Sequence, residues 1–538
     1  MIERTLRYSL FIFLFLLASC ALQVPPSGGN KDTTPPKALK FTPENYSVNF
    51  PKTDIRITFN EFIQLKDIAA QLIVSPPLKY TPETKVRSKS LIIHLDDTLL
   101  DNTTYTLNFG NAIVDNTEGN AVENFQYVFS TGKDIDSLNV AGKVENAFDT
   151  KTSKGIDVML YKTMTDSAPM KQLPNYLGKT DAEGKFVINN VSAGDYKIFA
   201  LSDTNSNYFF DNSDEAIAFS DSSVHASQTG IVLRTFKEAP KVRLHRAYSD
   251  EPGKAVIIYN HPVANTSVEI LSDTSKLKLF AKAQSSKGDT IIIWYRNQLS
   301  DSLNIIVHKP MQNDTITLRL RRGDDKGKYK YVPSLVSNLP SFSENTLDFK
   351  QSLELQFNHP IEKYDFSQIR FTEDSSIKSI SISLKDSLKQ KLELNYPWKE
   401  KSKYVLYIPP ATFTDIFGIK NDTLQYIFKT KQLTDYGTLA LGLQLPLRKG
   451  NYLLQLIDEK DVIYRQSSVN KDTILHYEYL EPKTYRIKLV EDRNNNGEWD
   501  TGDYLQHLQP EQVFYYKDII TVRANWDVEV KWKLEVKD

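Results

Sequence analysis

Residues 55–63 read IRITFNEFI, and the pattern recurs as VIIYNHPV at 256–263 and as LELQFNHPI at 353–361. Each copy is an alternating segment that ends in an aromatic residue and Asn, followed by a break and an aliphatic residue. Alternation with a period of two places one face of a strand in a core and the other face in water. The repeat therefore predicts three copies of one β module.

The period of two extends well beyond these copies. Its cleanest example is 528–536, where Val528, Val530, Trp532, Leu534 and Val536 alternate with charged residues. No long stretch shows helical periodicity. One apolar and one polar face per strand is typical of stacked antiparallel sheets. A chain of 538 residues is also too long for a single core. We therefore predict an all-β fold, a tandem array of β-sandwiches.

Two of the three copies continue in the same way. Residues 105–114 lead to Asp115 and then to FQYVFST at 125–131, while 404–414 lead to Asp415 and then to LQYIFKT at 424–430. The arrangement resembles the bacterial Ig-like domain of surface-layer and Bacteroidetes lipoprotein type. The resemblance implies Ig-like domains at 37–133, at 340–431 and, in a more divergent form, at 240–335.

A second unit alternates with these modules. It comprises VAGKV at 140–144, VMLY at 158–161, TDAEGKF at 180–186 and AGDYKI at 193–198. The Asp-Ala-Glu-Gly sequence predicts a tight hairpin in which Gly184 takes a positive φ. The ensemble resembles a transthyretin-like sandwich of the carboxypeptidase-regulatory type. This implies one such domain at 138–236 and a second at 436–538, which lacks the Asp-Ala-Glu-Gly hairpin.

The N-terminal residues have the pattern of a secretory signal. Arg4 and Arg7 precede an apolar run at 10–17, whose last residue begins the sequence Leu17-Ala18-Ser19 directly before Cys20. A Cys in this position resembles the bacterial lipobox, which implies that residues 1–19 are removed and that Cys20 is acylated. The alternative is an ordinary signal peptide with an incidental Cys. Two or three acyl chains would anchor the protein durably to a membrane.

Residues 20–36 contain Pro25-Pro26, a Ser-Gly-Gly sequence and Pro35-Pro36, and therefore predict an extended linker. This segment also resembles the start of a Bacteroidetes lipoprotein family that carries Ig-like domains, which implies an outer-membrane location. Surface export signals of such lipoproteins are acidic just after the Cys, whereas residues 21–24 are uncharged. The sequence leaves both the periplasmic and the cell-surface face open.

A loop near the C-terminus has the spacing of a calcium-binding loop. Residues 492–503 read DRNNNGEWDTGD, with oxygen-bearing side chains at positions one, three, five, nine and twelve and Gly at six. Position seven would contribute a backbone carbonyl, and position twelve is the shorter Asp. The alternative is a turn whose Asn and Asp side chains cap their own backbone. The predicted ligands are Asp492, Asn494, Asn496, Glu498, Asp500 and Asp503.

The equivalent place in the earlier transthyretin-like unit carries a weaker version of this pattern. Residues 203–211 read DTNSNYFFD and are followed by Asp214 and Glu215. Tyr208 occupies the position of the Gly, which disfavours the sharp turn. The weaker candidate ligands are Asp203, Asn205, Asn207, Asp211 and Asp214.

Composition and spacing point away from several functions. Lys+Arg 66 against Asp+Glu 67 gives a net charge of −1 without a basic cluster, so nucleic acid is not an expected partner. The eight histidines are scattered, and no catalytic motif is found. His261 and His359 recur in Asn-His-Pro, which we interpret as a strand-end turn. We expect no enzyme, although a deep polar pocket between domains would favour one.

The leading hypothesis is an outer-membrane lipoprotein that binds envelope or surface proteins or serves as a structural component of the envelope. The alternative is a carbohydrate-binding lipoprotein of a glycan-uptake system, in which exposed aromatic rings would stack on sugars. The tryptophans that could serve this role are Trp294, Trp398, Trp499, Trp526 and Trp532. Trp532 lies on the apolar face of its strand, so we expect it in a core.

Overall fold

The computed structural model describes residues 31–535, apart from 213, 240–241, 252, 264, 272–276, 286–287, 298–301, 311, 321–334, 336, 339–341, 344–345, 349–351 and 447–449. Cys20, the signal peptide and most of the linker lie outside the described residues. The described chain is all-β and forms a series of stacked sheets, as the alternation predicts. None of its helices has the length and apolar composition needed to cross a lipid bilayer.

The described chain divides into two compact units. Unit 1 holds the residues up to Lys237 together with Asp503–Leu508, and unit 2 holds Glu238–Gly502 and the residues from Gln509. Tyr504, which belongs to unit 1, is buried against Phe199, and its hydroxyl donates to the Asp166 carbonyl at 2.6 Å.

The first part of unit 1 stacks a four-stranded sheet, order β1-β2-β6-β5, on a three-stranded sheet, order β4-β7-β9, with β3 paired to β8. After β2, the Asn60 side chain accepts a hydrogen bond from the Lys37 amide at 2.7 Å, which fixes the entry of β1. The elements are β1 Ala38–Thr42, β2 Ile55–Phe59, β3 Ile63–Leu65, α1 Ile68–Gln71, β4 Ile73–Ser75, β5 Glu83–Arg87, β6 Ser90–His94, β7 Thr104–Asn108, β8 Ile113–Asp115 and β9 Gln126–Ser130.

The second part of unit 1 pairs a sheet of order β13-β10-β17 with a sheet of order β12-β11-β14-β15, to which β16 adds on β14. The Leu177 amide donates to Ser75 Oγ at 2.9 Å and Thr106 Oγ1 donates to Asn190 Oδ1 at 3.0 Å, which ties the two parts together. The elements are β10 Leu138–Asn146, β11 Asp157–Tyr161, α2 Ala168–Lys171, β12 Tyr176–Lys179, β13 Lys185–Val191, β14 Asp195–Ser202, β15 Ala216–Phe219, β16 Val224–His225 and β17 Ile231–Thr235.

The predicted turn before β13 is partly correct. Gly184 has φ +76°, as expected, and its amide donates to the Asp181 carbonyl at 3.1 Å. The prediction of a hairpin is wrong, because β12 pairs with β11 and β13 pairs with β10. The tight turn therefore links the two sheets of the sandwich.

Unit 2 begins with a sheet of order β18-β19-β22-β21 and a sheet of order β20-β23-β24. Asn260, after β19, accepts from the Arg243 amide at 2.8 Å and so repeats the role of Asn60. The strands are β18 Leu244–Glu251, β19 Lys254–Tyr259, β20 Ser267–Ile270, β21 Leu277–Gln284, β22 Thr290–Asn297, β23 Ser302–His308 and β24 Asp314–Arg319.

The middle of unit 2 contains sheets of order β25-β28-β33-β32 and β26-β27-β36-β34-β30-β31, together with the pair β29-β35. Short 3-10 helices lie at Phe366–Gln368 and Leu433–Asp435. The strands are β25 Ser337–Asn338, β26 Phe342–Ser343, β27 Thr346–Leu347, β28 Leu353–Phe357, β29 Ile361–Tyr364, β30 Arg370–Glu373, β31 Ser376–Lys378, β32 Ser381–Leu384, β33 Lys391–Asn395, β34 Lys403–Ile408, β35 Phe413–Asp415 and β36 Leu424–Thr430.

The last part of unit 2 repeats the pattern of the second part of unit 1, with sheets of order β40-β37-β44 and β39-β38-β41-β42, and β43 on β41. In both, the central strand of the smaller sheet pairs in parallel with the last strand, β10 with β17 and β37 with β44. The strands are β37 Gly437–Gln444, β38 Tyr452–Ile457, β39 Ile463–Val469, β40 Thr473–Leu480, β41 Lys483–Glu491, β42 Val513–Tyr515, β43 Ile520–Val522 and β44 Asp527–Lys533.

Five large clusters of buried apolar side chains fill the described sandwiches. They are centred on the segments 50–129, 140–233, 255–320, 335–428 and 439–534. Trp532 belongs to the last cluster, as its place on the apolar face predicts. The larger sheet of each sandwich packs its apolar face on the smaller one, so each cluster excludes water from both.

The parallel pairs β10–β17 and β37–β44 offer a matched test of backbone packing. A Cβ at Gly142 would overlap the Ile231 carbonyl, whereas a Cβ at the equivalent Gly442 meets Lys531 Cγ at a comfortable 3.7 Å. We expect Gly142→Ala to cost about 1–3 kcal/mol because β17 must move away, and Gly442→Ala to be tolerated. Hydrogen exchange of β17 and β44 in the two variants measures the difference, and equal loss of protection would contradict it.

Candidate cation-binding loops

The loop after β41 closes on the side chain of Asp492, which is buried. Its Oδ1 accepts from the Asn496 amide at 3.1 Å and its Oδ2 accepts from the Gly497 amide at 3.0 Å. Gly497 has φ +83°, the left-handed conformation that glycine adopts without strain. The first and sixth positions of the predicted loop are therefore brought together as the spacing requires.

Asp500 receives hydrogen bonds from two amide side chains of the same loop. Asn494 Nδ2 and Asn496 Nδ2 lie 2.6 Å and 2.8 Å from Asp500 Oδ2. Four of the six predicted ligands thus converge: Asp492, Asn494, Asn496 and Asp500. Glu498 has an exposed side chain, and its amide donates to Asn496 Oδ1 at 2.9 Å.

Asp503, the predicted ligand at position twelve, belongs to the segment assigned to unit 1. Its carboxylate accepts from the Gln506 amide at 2.9 Å and from Gln506 Nε2 at 2.8 Å. Both oxygens of Asp503 are therefore engaged by its own short segment.

Glu511 is a loop carboxylate that the twelve-residue spacing does not predict. It is 3% exposed and accepts from the Arg493 amide at 2.7 Å and from the Asp500 amide at 3.1 Å. Burial raises the pKa of Glu511, and the negative charges of Asp500 and Asp492 raise it further, against the effect of the two amide donors. Nothing in the twelve-residue spacing indicates Glu511, because it enters the loop from the far side just before β42.

The loop after β14 is built in the same way. Asp203 accepts from the amides of Ser206 and Tyr208, both at 2.7 Å. The amide groups of Asn205 and Asn207 donate to the two oxygens of Asp211 at 3.2 Å and 2.8 Å. The predicted ligands Asp203, Asn205, Asn207 and Asp211 therefore converge like their counterparts in the other loop.

Tyr208 does not prevent the sharp turn, although a residue other than Gly at this position is expected to disfavour it. It has φ +62°, close to the conformation of Gly497 at the same position. A non-glycine residue in this region stores about 1–2 kcal/mol of strain, which the three backbone hydrogen bonds to Asp203 offset.

Glu215 takes the place of Glu511 in this loop. It is 1% exposed and accepts from the Thr204 amide at 3.2 Å and from the Asp211 amide at 3.3 Å. Its neighbour Asp214, chosen from the sequence, has an exposed side chain. The strand that follows places Glu215 inward and Asp214 outward.

The two loops thus share a set of two Asp, two Asn and one buried Glu. Hard oxygen donors of this kind suit calcium, and the same side chains also close each loop by hydrogen bonds of their own. Among the described residues, no three side chains of His, Cys, Asp or Glu converge as a metal site. A bound cation would therefore need amide and main-chain oxygens in addition to the carboxylates.

The loop after β14 is called the first loop and the loop after β41 the second loop. Asp157 is a further buried carboxylate near the first loop. It is 4% exposed, and its Oδ1 lies 3.3 Å from Lys179 Nζ. Burial raises the pKa of Asp157 to about 6, with Lys179 opposing and Asp203 adding to the shift. Strand register places Leu453 at the equivalent position of the second loop, so this charge belongs to the first loop alone.

The tryptophans provide little exposed aromatic surface. Trp294 and Trp532 are buried, and Trp398 and Trp499 are half-buried. Trp499 Nε1 donates to the Glu511 carbonyl at 2.9 Å, so its ring supports the second loop. Trp526 is 59% exposed, and the Arg523 guanidinium lies 5.3 Å from its ring centroid.

Comparison with known proteins gives one family match. Residues 32–131 match the family of bacterial Ig-like domains, which confirms an Ig-like domain for the first module. No curated protein matches the chain.

Three solved structures illustrate distant likenesses. The major pilin subunit BcpA of Bacillus cereus is 9% identical, with 74% of this chain and 99% of the pilin covered at a TM-score of 0.14. Domains 5–6 of the S-layer protein SbsC are 9% identical, with 36% and 99% covered at 0.19. The Yersinia pseudotuberculosis adhesin InvE is 13% identical, with 36% and 59% covered at 0.12. These values carry no argument about function.

The buried carboxylate of Asp157 makes stability depend on pH. The folded pKa of about 6 lies above the value of about 4 in the unfolded chain. The stability contributed by protonated Asp157 is therefore fully present below pH 4 and is lost as pH rises through 6. Asp157→Asn removes this loss, so we expect the variant to gain about 2 kcal/mol over the wild type between pH 4 and pH 7.5. Hydrogen exchange of β11, compared at each pH, measures the gain. Asp214→Asn is the exposed control, and a variant-to-wild-type difference that is equal at both pH values would contradict the expectation.

Proposed function

We propose that the chain is a non-enzymatic, lipid-anchored component of a bacterial outer membrane whose modules bind a protein partner or form part of an envelope assembly. The observation that carries the proposal is the serial arrangement of two-sheet sandwiches, each filled by apolar side chains. Such modules present their polar outer faces, edges and loops as binding surface. The family match to bacterial Ig-like domains at 32–131 supports this for the module nearest the anchor.

The anchor is proposed from the sequence. Cys20 is the single cysteine of the chain and follows an apolar run and Leu-Ala-Ser. Acylation there, followed by the Pro- and Gly-containing linker at 20–36, would hold the first module a short distance from the lipid surface. The proposal includes membership of a Bacteroidetes lipoprotein family and leaves both faces of the outer membrane open. Proteinase digestion of intact cells distinguishes the two faces.

The hydrogen bonds within unit 1 give the proposed scaffold fixed geometry near its anchor. In the first module, at 37–133, Ser75 and Thr106 form hydrogen bonds with Leu177 and Asn190 of the second module, at 138–236. Two modules joined in this way present loops at a constant separation, which suits a protein that positions a partner.

Affinity purification from solubilised envelopes tests the function. We expect the tagged full-length lipoprotein to recover envelope proteins in near-stoichiometric amounts. The matched control carries residues 1–36, hence the same signal, lipid and linker, fused to an unrelated folded domain. Cys20→Ala should shift the protein from the membrane to the soluble fraction. Recovery of the same proteins with the control would show that the modules contribute nothing and would overturn the proposal.

Carbohydrate binding is the second candidate function, and Trp526 is the observation that favours it. Its exposed ring carries a nearby guanidinium and is free to stack on a sugar. Glycan-array binding that Trp526→Ala abolishes and that Trp398→Ala preserves would favour this candidate over protein binding.

We also propose that the two Asp/Asn loops bind calcium, with Glu511 and Glu215 as their additional carboxylates. Each loop has three carboxylates along its length, and a divalent cation would be held by some of these together with the Asn side-chain oxygens and main-chain carbonyls. In the second loop the ligands would be Asp492, Asn494, Asn496, Asp500 and Glu511. In the first loop they would be Asp203, Asn205, Asn207, Asp211 and Glu215.

Calcium titration of the mature chain tests this proposal. We expect saturable binding by calorimetry and a higher melting temperature in calcium than in EDTA. The double variant Asp492→Asn, Asp500→Asn should lose one site, and Asp203→Asn, Asp211→Asn the other. Glu478→Gln, on the exposed face of β40, is the control. No heat of binding and no change in melting at millimolar calcium would overturn the proposal.

A further inference from the structure

A buried histidine in unit 2 lies between two carboxylates that come from different sheets. His359, in the turn between β28 and β29, is 2% exposed. Its Nδ1 lies 2.7 Å from Asp415 Oδ2, at the end of β35, and its Nε2 lies 3.3 Å from Glu251 Oε2, at the end of β18. We propose that Glu251, His359 and Asp415 form a proton-dependent latch that joins the β18–β19 hairpin to the β28–β29 turn.

The hairpin side of the latch is held rigidly. Ser249 is buried, and its hydroxyl contacts the Lys254 carbonyl at 2.8 Å and the Tyr295 hydroxyl at 3.1 Å. The Tyr295 amide donates to the Gly253 carbonyl at 2.8 Å. The tip that carries Glu251 is therefore fixed to the sheet behind it.

The two surfaces also fit closely at the hairpin tip. Gly253 has φ +84°, and a Cβ there would lie 2.7 Å from Phe417 Cε1. The Phe417 ring in turn stands edge-on to His359, with 5.5 Å between centroids. Glycine is required at this position both by the backbone conformation and by the ring. The contact is a packed interface in which a small movement of the hairpin would separate Glu251 from His359.

The charge balance depends on the proton of His359. Asp415 Oδ1 already accepts from the amides of Phe417 and Ile419 at 2.9 Å and 2.8 Å, which leaves Oδ2 for His359 Nδ1. Protonated imidazole donates from both nitrogens and bridges the two carboxylates. Neutral imidazole that keeps its Nδ1 proton turns the lone pair of Nε2 toward Glu251 Oε2. Two acceptors then face each other, and the bridge to the hairpin is lost.

The groups that face His359 define the electrostatics of the latch. They are Asp415 from β35, Glu251 from β18 and the side-chain Nδ2 of Asn358, which lies 3.4 Å from His359 Nε2. Lys254 Nζ pairs with the other oxygen of Glu251 at 3.1 Å. Protonated His359 adds a positive charge that faces both carboxylates, and loss of the proton removes that charge from between them.

The two carboxylates raise the pKa of His359 above its ordinary value, although burial acts in the opposite direction as the largest single effect. A raised folded-state pKa means that the stabilisation is complete below the unfolded value of about 6.5 and is lost as pH rises through the folded value. The latch is therefore closed below the ordinary pKa of histidine and opens as the pH rises above the raised pKa of His359.

Distance measurements on a labelled chain test the latch. Because Cys20 is the single cysteine, the mature chain with Cys20→Ser accepts spin labels cleanly at Thr317→Cys and Ser383→Cys, two exposed strand positions. Pulsed EPR should give a narrow distance distribution at pH 5.5 and a broader, longer one at pH 9. The same distribution at both pH values would overturn the proposal.

Three variants separate His359 from other titrating groups. Glu251→Gln replaces the carboxylate by an amide that donates to neutral imidazole, so its distribution should stay narrow at pH 9. His359→Gln should be insensitive to pH. His261→Gln alters the equivalent Asn-His-Pro repeat and should respond as the wild type does. A Glu251→Gln chain that opens at pH 9 like the wild type would also overturn the proposal, even if His359→Gln fails to fold.

Discussion

The structure depends on the stacking of two thin sheets around each apolar core. A strand with one apolar face gains little free energy until a second sheet covers that face, because burial contributes about 25 cal/mol per Å² of apolar surface. Small modules of this kind are marginally stable alone. Their edges, turns and junctions therefore carry much of the specificity, through buried polar groups whose partners must all be present. Exposed side chains also contribute, since Asn60 and Asn260 each accept from a main-chain amide at the entry to a sandwich.

The two Asp/Asn loops, at 203–215 and 492–511, share a hydrogen-bond pattern although their residues differ. Gly497 and Tyr208 occupy the same left-handed position, at φ +83° and +62°. The shared requirement is an aspartate that accepts several backbone N–H groups, and the turn follows from it. A carboxylate in the same kind of site at Asp115 accepts from four successive amides. Burial opposes ionisation there, yet the four donors lower the pKa of Asp115 to about 2. Hydrogen bonds from backbone N–H groups thus repeatedly stabilise ionised aspartates in this chain.

Features that lie within one strand or one turn could be predicted from the sequence. Alternation predicted the all-β fold and placed Trp532 in a core. The twelve-residue spacing placed Asp492, Asn494, Asn496 and Asp500 in one loop, where the structure connects them by hydrogen bonds. Features that need a second segment could not. Glu511 and Glu215 are set by the strands that follow their loops, and the spacing rule selected Asp503 and Asp214 instead. The turn at Gly184 was recognised by its residues, but only the pairing of β12 with β11 and of β13 with β10 decides that it joins two sheets.

The Asn-His-Pro repeat carries this distinction furthest. Read locally, it is a strand-end turn, and the structure places β2, β19 and β28 so that each ends at the aromatic residue before it. The three turns nevertheless differ in their surroundings: Glu61 and His261 are not buried, whereas His359 lies 2% exposed between Asp415 and Glu251. Asp415 belongs to the same module as His359, but Glu251 comes from the preceding hairpin. The same Asn-His-Pro sequence therefore gives a histidine that is not buried in one copy and a histidine buried between two carboxylates in another. The difference arises because a neighbouring sandwich supplies the second carboxylate.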